Sequence, residues 1–411
     1  MRRQLMGLTA AFALLLPVAL HAQTNIATTY GTAANRIIDR ATSDSAAYRR
    51  LGELVDGFGH RLSGSASLES AIDWMLAEMK KDGLDNVRGE PVMVPRWVRG
   101  EESAELIAPR AKKLAMLGLG GSIGTTAAGI TADVLIVNSF DDLTAKAAQA
   151  KGKIVLFDVP FTNYGETVAY RGGGAIAAAR VGAVAALVRS VTPYSQQTPH
   201  TGAMRYDSTV ARIPSAALTV EDVMMMHRMQ DRGQKITVRL KMSAQQLPDA
   251  PSRNVVAEIR GRELPNEVIV FGGHIDSWDV GQGAMDDGGG VVVAWEALRV
   301  LKALGLQPRR TIRVVGWTNE ENGLRGGNAY RDSHRADVDN HILAIESDEG
   351  VFKPEGFGFS GTDAAFDIVK QVGKLLERIG AGSITRGGGG ADIGPIMELG
   401  VPGMALNVDG T

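Results

Sequence analysis

The 411-residue sequence contains no cysteine. This absence excludes disulfide bonds, zinc sites built from thiolates, iron–sulfur clusters, a cysteine nucleophile and the lipid-bearing cysteine of a bacterial lipoprotein. Any bound metal ion must therefore be held by histidine and carboxylate side chains. Only seven histidines are available for that purpose.

The sequence also lacks an excess of positive charge and long hydrophobic runs. Lysine and arginine number 44 against 46 aspartate and glutamate residues, which gives a formal charge of -2. Nucleic-acid-binding proteins carry a basic surface, so we expect no nucleic acid partner. A membrane-spanning helix needs about 20 apolar residues, and no segment of the sequence meets that length, so we expect no stable membrane association.

Aromatic residues are scarce, at 5%, whereas glycine is abundant, at 50 residues. That share is well above the usual level of about 7% and is typical of chains with many tight strand-to-helix turns. The length suits two or three domains, each able to bury its own core. Composition and length together favour an α/β fold.

The first 22 residues have the pattern of a secretory signal. Arg2 and Arg3 precede an apolar run that ends at Leu20, and the small residue Ala22 follows it. The run is shorter than the ~20 residues that a membrane span needs. We therefore predict that residues 1–22 are a cleaved signal peptide and that the mature protein is periplasmic or secreted.

The segments that follow differ in their predicted secondary structure. Residues 48–81 predict helix, because apolar residues recur at i, i+3, i+4 and i+7 from Ile72 onward. We assign residues 23–105 to the N-terminal part of the main domain.

Residues 106–245 predict a β-rich inserted domain. Short β-like runs at 132–138 and 151–160 precede a run of small residues at 172–188 that predicts a helix. The proline-containing segment 245–254 is predicted to be a linker.

From residue 246 to the end, β and α patterns alternate regularly. Alternation of this length predicts a mainly parallel, mixed sheet flanked by helices. One predicted helix places Val291, Ala294, Trp295 and Leu298 on a single apolar face. In such sheets, functional residues gather where the strands end.

Acidic residues and one histidine collect at three of these predicted strand ends. They are His274, Asp276, Asp286 and Asp287 after one strand, Glu320 and Glu321 after the next, and Asp348 and Glu349 after the third. A charge at the end of a buried strand is costly unless it is paired or bound to a metal ion. Any one of these residues could instead cap the following helix, but the set as a whole indicates a cation site.

One histidine with several carboxylates suits zinc or another divalent metal, and bridging carboxylates favour a pair of ions about 3.5–4 Å apart. Of the adjacent Glu320 and Glu321, one can bind metal while the other stays free as a base. Asp276 is placed to hold the imidazole of His274 in its metal-binding tautomer. These features give the hypothesis of a two-metal hydrolase in which a bridging hydroxide is the nucleophile.

Long motifs carry a family resemblance. They are GGHIDSWDVGQGAMDDGGG at 272–290, WTNEENGLRGG at 317–327, ESDEG at 346–350 and DGFGHRLSGSASLESAIDW at 56–74. With them the sequence resembles the M28 family of zinc exopeptidases, and most closely its carboxypeptidase Q branch. The resemblance implies the zinc-exopeptidase fold, of the phosphorylase/hydrolase-like type, with residues 246–411 as the catalytic core. It also implies that the middle segment is the protease-associated domain that this branch inserts.

The resemblance implies a role for each matched residue. His274 would bind one zinc ion, Asp286 would bridge two ions, and Asp348 would complete the protein ligands of the first. Glu321 would bind the second ion, and Glu320 would be the general base. Asp287 is predicted to cap a helix or support the ligands from behind, and Glu349 is predicted to be solvated.

One position of the family pattern is unmatched. The family's last ligand is a histidine shortly after the strand that 401–408 resembles, and no histidine of this sequence lies there. We therefore expect that ligand to follow Thr411. His334 and His341 flank a predicted helix-to-strand connection and are predicted to be surface residues.

Three interpretations of the activity remain open. The first is a carboxypeptidase or dipeptidase that acts on dipeptides or short peptides, and the second is an aminopeptidase that acts on longer peptides. The third is a non-catalytic binding protein, because fold does not fix function. The resemblance also implies a peptide substrate and a homodimer.

Overall fold

The computed structural model describes residues 25–410. Its α-helices are α1 Ile26–Ser43, α2 Ala46–Phe58, α3 Ala66–Lys81, α4 Phe140–Ala145, α5 Ala147–Ala150, α6 Tyr164–Arg180, α7 Val220–Asp231, α8 Gly289–Ala303, α9 Arg325–Ser333, α10 Asp363–Gly373 and α11 Gly394–Met397. Its strands are β1 Asp85–Val98, β2 Glu102–Ala108, β3 Lys112–Leu114, β4 Met116–Gly118, β5 Ile130–Val137, β6 Ile154–Phe157, β7 Ala185–Arg189, β8 Ser215–Leu218, β9 Thr237–Met242, β10 Gln245–Ile259, β11 Leu264–His274, β12 Arg310–Trp317, β13 His341–Glu346, β14 Pro354–Ser360, β15 Ser383–Arg386 and β16 Gly403–Val408.

The predicted signal peptide lies outside the described residues. Within 25–410, no helix combines the length and the hydropathy that a membrane span requires.

The main sheet has eight strands in the order β1-β10-β12-β11-β13-β16-β14-β15. Its centre is parallel, because β11 pairs in parallel with both β12 and β13, and β13 pairs in parallel with β16. Strands β10 and β14 run antiparallel to their neighbours in the centre. This architecture confirms the predicted α/β fold with a mixed, mainly parallel sheet.

A second eight-stranded sheet, in the order β3-β2-β9-β5-β6-β7-β8-β4, is built between β1 and β10. We call residues 102–242, with this sheet and helices α4 to α7, the second unit. The chain leaves the main sheet after β1 and returns in β10, which pairs antiparallel with β1 over most of its length. The second unit is therefore inserted between β1 and β10, at one edge of the main sheet.

Helix α8 packs its predicted apolar face into the core of the main sheet. Val291, Ala294, Trp295 and Leu298 are all buried there, as the helical spacing predicted. Truncating a fully buried leucine such as Leu298 to alanine typically costs about 2–5 kcal/mol of stability. Packing on this scale fixes the start of α8, which directly follows the loop that carries Asp286.

The prediction of continuous helix over residues 48–81 is wrong in its middle. Helix α2 ends at Gly59, which has a φ of 64° and donates its N–H to the Val55 carbonyl. Helix α3 begins after Ser65, whose side chain accepts the Leu68 N–H as an N-cap. The intervening loop enters the functional site.

The predicted helix over 172–188 is also wrong in its last part. Helix α6 ends at Arg180, Gly182 turns the chain with a φ of 78°, and β7 follows as Ala185–Arg189. Strand β7 lies between two parallel neighbours and is almost entirely buried. A strand buried on both faces is a plain apolar run, so its residue pattern does not distinguish it from a buried helix.

The segment predicted to be a linker, 245–254, forms the first two thirds of β10. Its prolines fit a strand because this part of β10 pairs with β1 alone, and the pairing with β12 begins only at Val255. Pro248 and Pro251 are exposed, and a proline on an unpaired strand side removes no ladder hydrogen bond.

Candidate metal centre

Three parallel strands bring the sequence-predicted site residues to one edge of the main sheet. Strand β11 ends at His274, which pairs in register with Trp317 at the end of β12. Glu320 and Glu321 follow β12, and Asp348 follows β13. Because the strands are parallel, their carboxyl ends open on the same side of the sheet.

His274 lies at the centre of the site and is fully buried. Its Nε2 atom lies 3.0 Å from Asp286 Oδ1, 3.2 Å from Asp348 Oδ1 and 3.9 Å from Glu320 Oε2. Despite these short distances, Nε2 has no hydrogen bond of adequate geometry. Its Nδ1 atom lies 2.9 Å from the backbone carbonyl oxygen of Asp276. With Nδ1–H donated to that carbonyl, the Nε2 lone pair faces the carboxylate oxygens, as in a metal-ligand set.

The buried carboxylate of Asp276 has a different partner from the one that sequence reasoning gave it. It accepts hydrogen bonds from the Glu320 N–H at 3.1 Å and the Glu321 N–H at 3.3 Å, with the Ser63 hydroxyl at 3.4 Å. It lies 3.7 Å from His274 Nδ1, so the carbonyl of Asp276, not its carboxylate, holds the imidazole. The carboxylate instead orients the loop that bears the two glutamates. Burial raises its pKa.

The adjacent residues Asp286 and Asp287 differ in burial and in their hydrogen bonds. Asp287 is buried, and its two oxygens accept the His274 N–H at 2.9 Å and the Gly290 N–H at 3.0 Å. His274, Asp287 and Asp348 place possible ligand atoms within 4.8 Å of one another. Asp286, which is joined to Asp287 by a cis peptide bond, has a side chain that is 66% exposed and faces a cavity. Because backbone groups occupy both Asp287 oxygens, Asp286 is the better candidate ligand.

Glu320 and Glu321 are surrounded by the carboxylate groups of neighbouring residues. Burial, reinforced by Asp276, Asp348 and Asp286, raises the pKa of Glu320 to about 7. Burial and the charge of Asp286 raise the pKa of Glu321 to about 9. So many carboxylates around a single imidazole repel one another, and divalent cations would relieve that repulsion. The oxygen and imidazole donors present here therefore fit one or two such ions.

Sequence reasoning did not single out Arg61, which ties the site loops together. Its side chain is fully buried and donates to four backbone carbonyls, those of Gly59, Ile275, Gln282 and Gly283. Burial lowers its pKa to about 10, although the charges of Asp276 and Asp287 oppose that shift. In the sequence, a role for Arg61 could have been inferred from its position in the motif at 56–74.

The prediction that His334 and His341 are surface residues is wrong for His341, which is buried, whereas His334 is partly buried. The buried Tyr330 contacts both rings, and its hydroxyl lies 3.0 Å from His341 Nε2 and accepts a hydrogen bond from Arg313 at 2.8 Å. His334 Nε2 lies 3.3 Å from Glu90 Oε1. Strand β13 begins at His341, so that side chain is carried into the interior and not into the connecting loop.

A cavity of about 440 Å³ joins the site to the second unit. From the main sheet it is lined by Trp278, Asp286, Glu320, Glu321 and Asp348. From the second unit it is lined by Tyr164, Arg171, His200, Thr201, Gly202 and Ala203. The individual residues that the second unit contributes were not predicted, because a single sequence does not show which side chains of one unit face the other.

Two sets of contacts link the site loop to the second unit. Arg99, which precedes the second unit, donates two hydrogen bonds to the Asp279 carboxylate, at 2.8 and 2.6 Å, and another to the Gly118 carbonyl of the second unit. Trp278 packs in a small apolar cluster with Leu62, Trp97 and Ala244, and Ala203 of the second unit packs against this cluster. The site loop is therefore connected to the second unit by both charge and apolar packing.

Comparison with known proteins agrees with this geometry. Residues 254–411 match the model of peptidase family M28. Carboxypeptidase Q of Xenopus laevis is 51% identical over 380 residues, which cover 92% of this chain and 81% of that protein. The chain belongs to peptidase family M28. As a member of that family it is a metallopeptidase of the exopeptidase class, and the resemblance read from the motifs is confirmed.

Solved structures share the fold. The peptidase M28 precursor from Shewanella amazonensis SB2B has a TM-score of 0.90 at 34% identity, over 93% of this chain and 88% of that chain. A zinc aminopeptidase from Bacillus subtilis has a TM-score of 0.67 at 24% identity, over 89% of this chain and 85% of that chain. Both sheets of this M28 peptidase therefore lie within a known architecture.

Proposed function

We propose that this M28 peptidase is a di-zinc exopeptidase that hydrolyses dipeptides or short peptides outside the cytoplasm. The observation that carries the proposal is the position of His274 Nε2, which has no aligned hydrogen bond and lies 3.0 and 3.2 Å from the carboxylates of Asp286 and Asp348. A buried imidazole so placed has a lone pair directed at a cation position.

The proposed ligands divide between two ions. His274 and Asp348 would hold the first, Glu321 would hold the second, and Asp286, at the rim of the cavity, would serve as a ligand to both. Zinc accepts imidazole and carboxylate donors of this kind. When bound, the ions lower the pKa of a water molecule and polarise the scissile carbonyl group.

Glu320 is proposed as the general base. Among residues 25–410, no N–H or O–H group donates a hydrogen bond to its side chain, so the carboxylate is free to accept a proton. It lies on the cavity wall, 3.9 Å from His274 Nε2. It would take the proton of the attacking water and deliver it to the leaving amine. Asp276 would act by positioning, because it holds the backbone N–H groups of Glu320 and Glu321.

The cavity supports a small peptide substrate. Its volume of about 440 Å³ lies in the lower part of the range for small-molecule sites, and the second unit covers one side of it. A dipeptide or short peptide fits such a space better than a folded chain. The name of the carboxypeptidase Q relatives supports cleavage next to a C-terminus, and that of the Bacillus subtilis neighbour supports cleavage next to an N-terminus.

Residues 106–245 are proposed to be a protease-associated domain that shapes this cavity. Most of this range lies in the second unit, which contributes six of the lining residues. Its boundaries can be tested by limited proteolysis followed by mass spectrometry.

The signal pattern supports export of the mature protein to the periplasm or the medium. We further propose that the mature protein is a homodimer. N-terminal sequencing of the secreted protein tests the cleavage after residue 22, and light scattering during gel filtration tests the dimer.

The activity is tested with one dipeptide in three forms: unblocked, N-acetylated and C-amidated. Protein produced from the complete reading frame is assayed after zinc loading, with and without a chelator. Chelator-sensitive hydrolysis supports the proposal, and the blocking group that is tolerated identifies the terminus that is read. Absence of hydrolysis of all three forms would favour the non-catalytic binding protein.

A further inference from the structure

The loop that follows β11 holds Glu321 in place. The Glu321 carboxylate accepts a hydrogen bond from the Trp278 N–H at 3.0 Å, and the Glu321 N–H donates to the Asp276 carboxylate at 3.3 Å. Among the described residues, no other N–H or O–H group donates a hydrogen bond to the Glu321 carboxylate. The bond from Trp278 uses Oε1 and leaves Oε2 available to a cation. The position of Trp278 therefore determines the direction of this proposed metal ligand.

The side chain of Trp278 reaches from the site loop to the second unit. The residue is 6% exposed and lies in the apolar cluster with Leu62, Trp97 and Ala244. The outer edge of its six-membered ring lies against Gly120 of the second unit. A Cβ atom on Gly120 would come within 2.1 Å of Cη2 and 2.2 Å of Cζ3 of the indole, whereas Cβ atoms essentially never come within 3.0 Å of such neighbours. Only glycine leaves room for the ring at this position.

Backbone hydrogen bonds within the second unit hold Gly120 in turn. Its N–H donates to the Gly202 carbonyl at 3.0 Å, and its carbonyl accepts the Met204 N–H at 2.9 Å. These bonds connect the turn after β4 to the segment that contains the cavity-lining residues Gly202 and Ala203. Because a hydrogen-bonded backbone does not yield as a flexible side chain does, any atom added at Gly120 must displace the indole.

A displacement of the indole should reach Glu321. The apolar cluster encloses the ring and leaves it little free volume in which to rotate, and a close-packed interior transmits strain to its surroundings. The N–H that holds Glu321 belongs to the same residue as the ring. When groups that orient metal ligands are disturbed, metal affinity typically changes about 10- to 100-fold.

We propose that Gly120 and the indole of Trp278 form a contact through which the second unit orients Glu321 for the second metal ion. The inference rests on the proposed function, in which Glu321 is a ligand of that ion. It makes Gly120 and Trp278 positioning residues. It also gives the second unit a role in metal binding, in addition to its part in lining the cavity.

The test measures the zinc affinity of both metal positions, by competition with a chelator, in wild type and Gly120→Ala. The substitution should weaken binding of the second ion about 10- to 100-fold and that of the first less than about 3-fold, because the ligand it displaces is Glu321. Gly173→Ala, on helix α6 of the second unit, is the matched control. A Cβ atom on Gly173 would meet no neighbour closer than 3.8 Å, so both affinities should stay unchanged.

A smaller ring at position 278 distinguishes positioning from general damage. Phenylalanine lacks the outer ring atoms of tryptophan, so Gly120→Ala should weaken the second ion by less than about 3-fold further in a Trp278→Phe background. Equal losses in the two backgrounds would overturn the inference.

Trp278→Phe alone decides the question if Gly120→Ala does not fold. Because its ring no longer reaches Gly120, this variant should bind the second ion about 10-fold more weakly and the first as wild type does. Wild-type affinity for both ions in Trp278→Phe would overturn the inference.

The outcomes separate the inference from the proposed function. If wild type binds two ions and Gly120→Ala binds the second equally well, the inference fails alone. If Gly120→Ala loses the second ion selectively but wild type hydrolyses no peptide, the inference is supported and the proposed hydrolysis fails. A wild type that binds only one ion would overturn both the inference and the two-ion mechanism.

Discussion

The Nδ1 atom of His274 lies 2.9 Å from the backbone carbonyl oxygen of Asp276, two residues further along the chain. A backbone carbonyl accepts but cannot donate, so it keeps the proton on Nδ1 and leaves Nε2 as an electron-pair donor. The Asp276 carboxylate is therefore not needed by the imidazole, and it accepts hydrogen bonds from the backbone N–H groups of Glu320 and Glu321 instead. One residue thus sets the orientation of both the proposed ligand and the proposed base.

Asp276→Asn should weaken the enzyme without emptying the site. The amide offers one acceptor oxygen where the carboxylate offers two, so one of the N–H groups of Glu320 and Glu321 loses its partner. We expect kcat/KM to fall about 10- to 100-fold, as is typical for groups that orient a metal site. Steady-state kinetics together with zinc analysis check this. Wild-type kinetics in the variant would show that the loop keeps its geometry without this carboxylate.

Zinc should stabilise the folded protein measurably. Because the ions bind the native site and relieve repulsion among its carboxylates, zinc at about 1,000 times its Kd should add about 4 kcal/mol to the free energy of unfolding. Thermal denaturation with zinc and with a chelator measures the shift. His274→Ala should abolish it, whereas His60→Gln, which changes an exposed histidine, should not. A zinc-dependent shift that survives in His274→Ala would place the ions elsewhere.

The Arg99–Asp279 pair should contribute strongly to stability. Both side chains are largely buried, at 9% and 15% exposure, and they form two hydrogen bonds. Asp279→Asn removes the nearer of two counter-charges and leaves the guanidinium with Glu102 at 3.8 Å, which should cost about 1.5–3 kcal/mol in urea denaturation. Glu105→Gln removes an exposed pair with Arg239 and should cost less than about 1 kcal/mol. Equal effects of the two substitutions would mean that the Arg99–Asp279 contact is not retained in solution.

His341 should make stability depend on pH below neutrality. Burial, assisted by the charge of Arg313, lowers its pKa in the folded state to about 4, compared with an ordinary value near 6.5. The unfolded state therefore binds more protons between these values, so stability falls as the pH falls from 6.5 toward 4. From pH 7.5 to pH 5 this single group should remove about 2 kcal/mol.

Urea denaturation at those two pH values, on wild type and His341→Gln, measures the contribution of His341. The variant should lose less stability than wild type on acidification, because glutamine does not titrate. Identical pH dependence in both proteins would show that the imidazole is not buried in its neutral form.

Much of the fold and of the acidic set could be predicted from the sequence, since both follow from local rules. Alternating β and α patterns gave the parallel centre of the sheet, and parallel strands end on one side, which placed His274, Glu320 and Asp348 together. Helix α8 was predicted from its apolar face for the same reason. These features depend on residues near one another in the chain.

The features that were missed depend on long-range contacts. The sequence of strand β7 predicted a helix, because its apolar run does not distinguish the two structures. Its pairing with neighbouring strands in the sheet makes it a strand. The sequence of residues 245–254 predicted a linker because the strand that pairs with them, β1, lies about 150 positions earlier in the chain. Arg171 was overlooked because the cavity exists only once the second unit faces the main sheet.

The most direct test of the central claim measures zinc content and dipeptide hydrolysis on the same preparations of wild type, Glu320→Gln and the exposed-residue control Glu349→Gln. If Glu320 is the base beside two zinc ions, Glu320→Gln should keep two ions per chain and lose about 10²-fold or more in rate. Wild type and Glu349→Gln should retain both metal and activity. Wild-type turnover in Glu320→Gln, or an active wild type without zinc, would contradict the account.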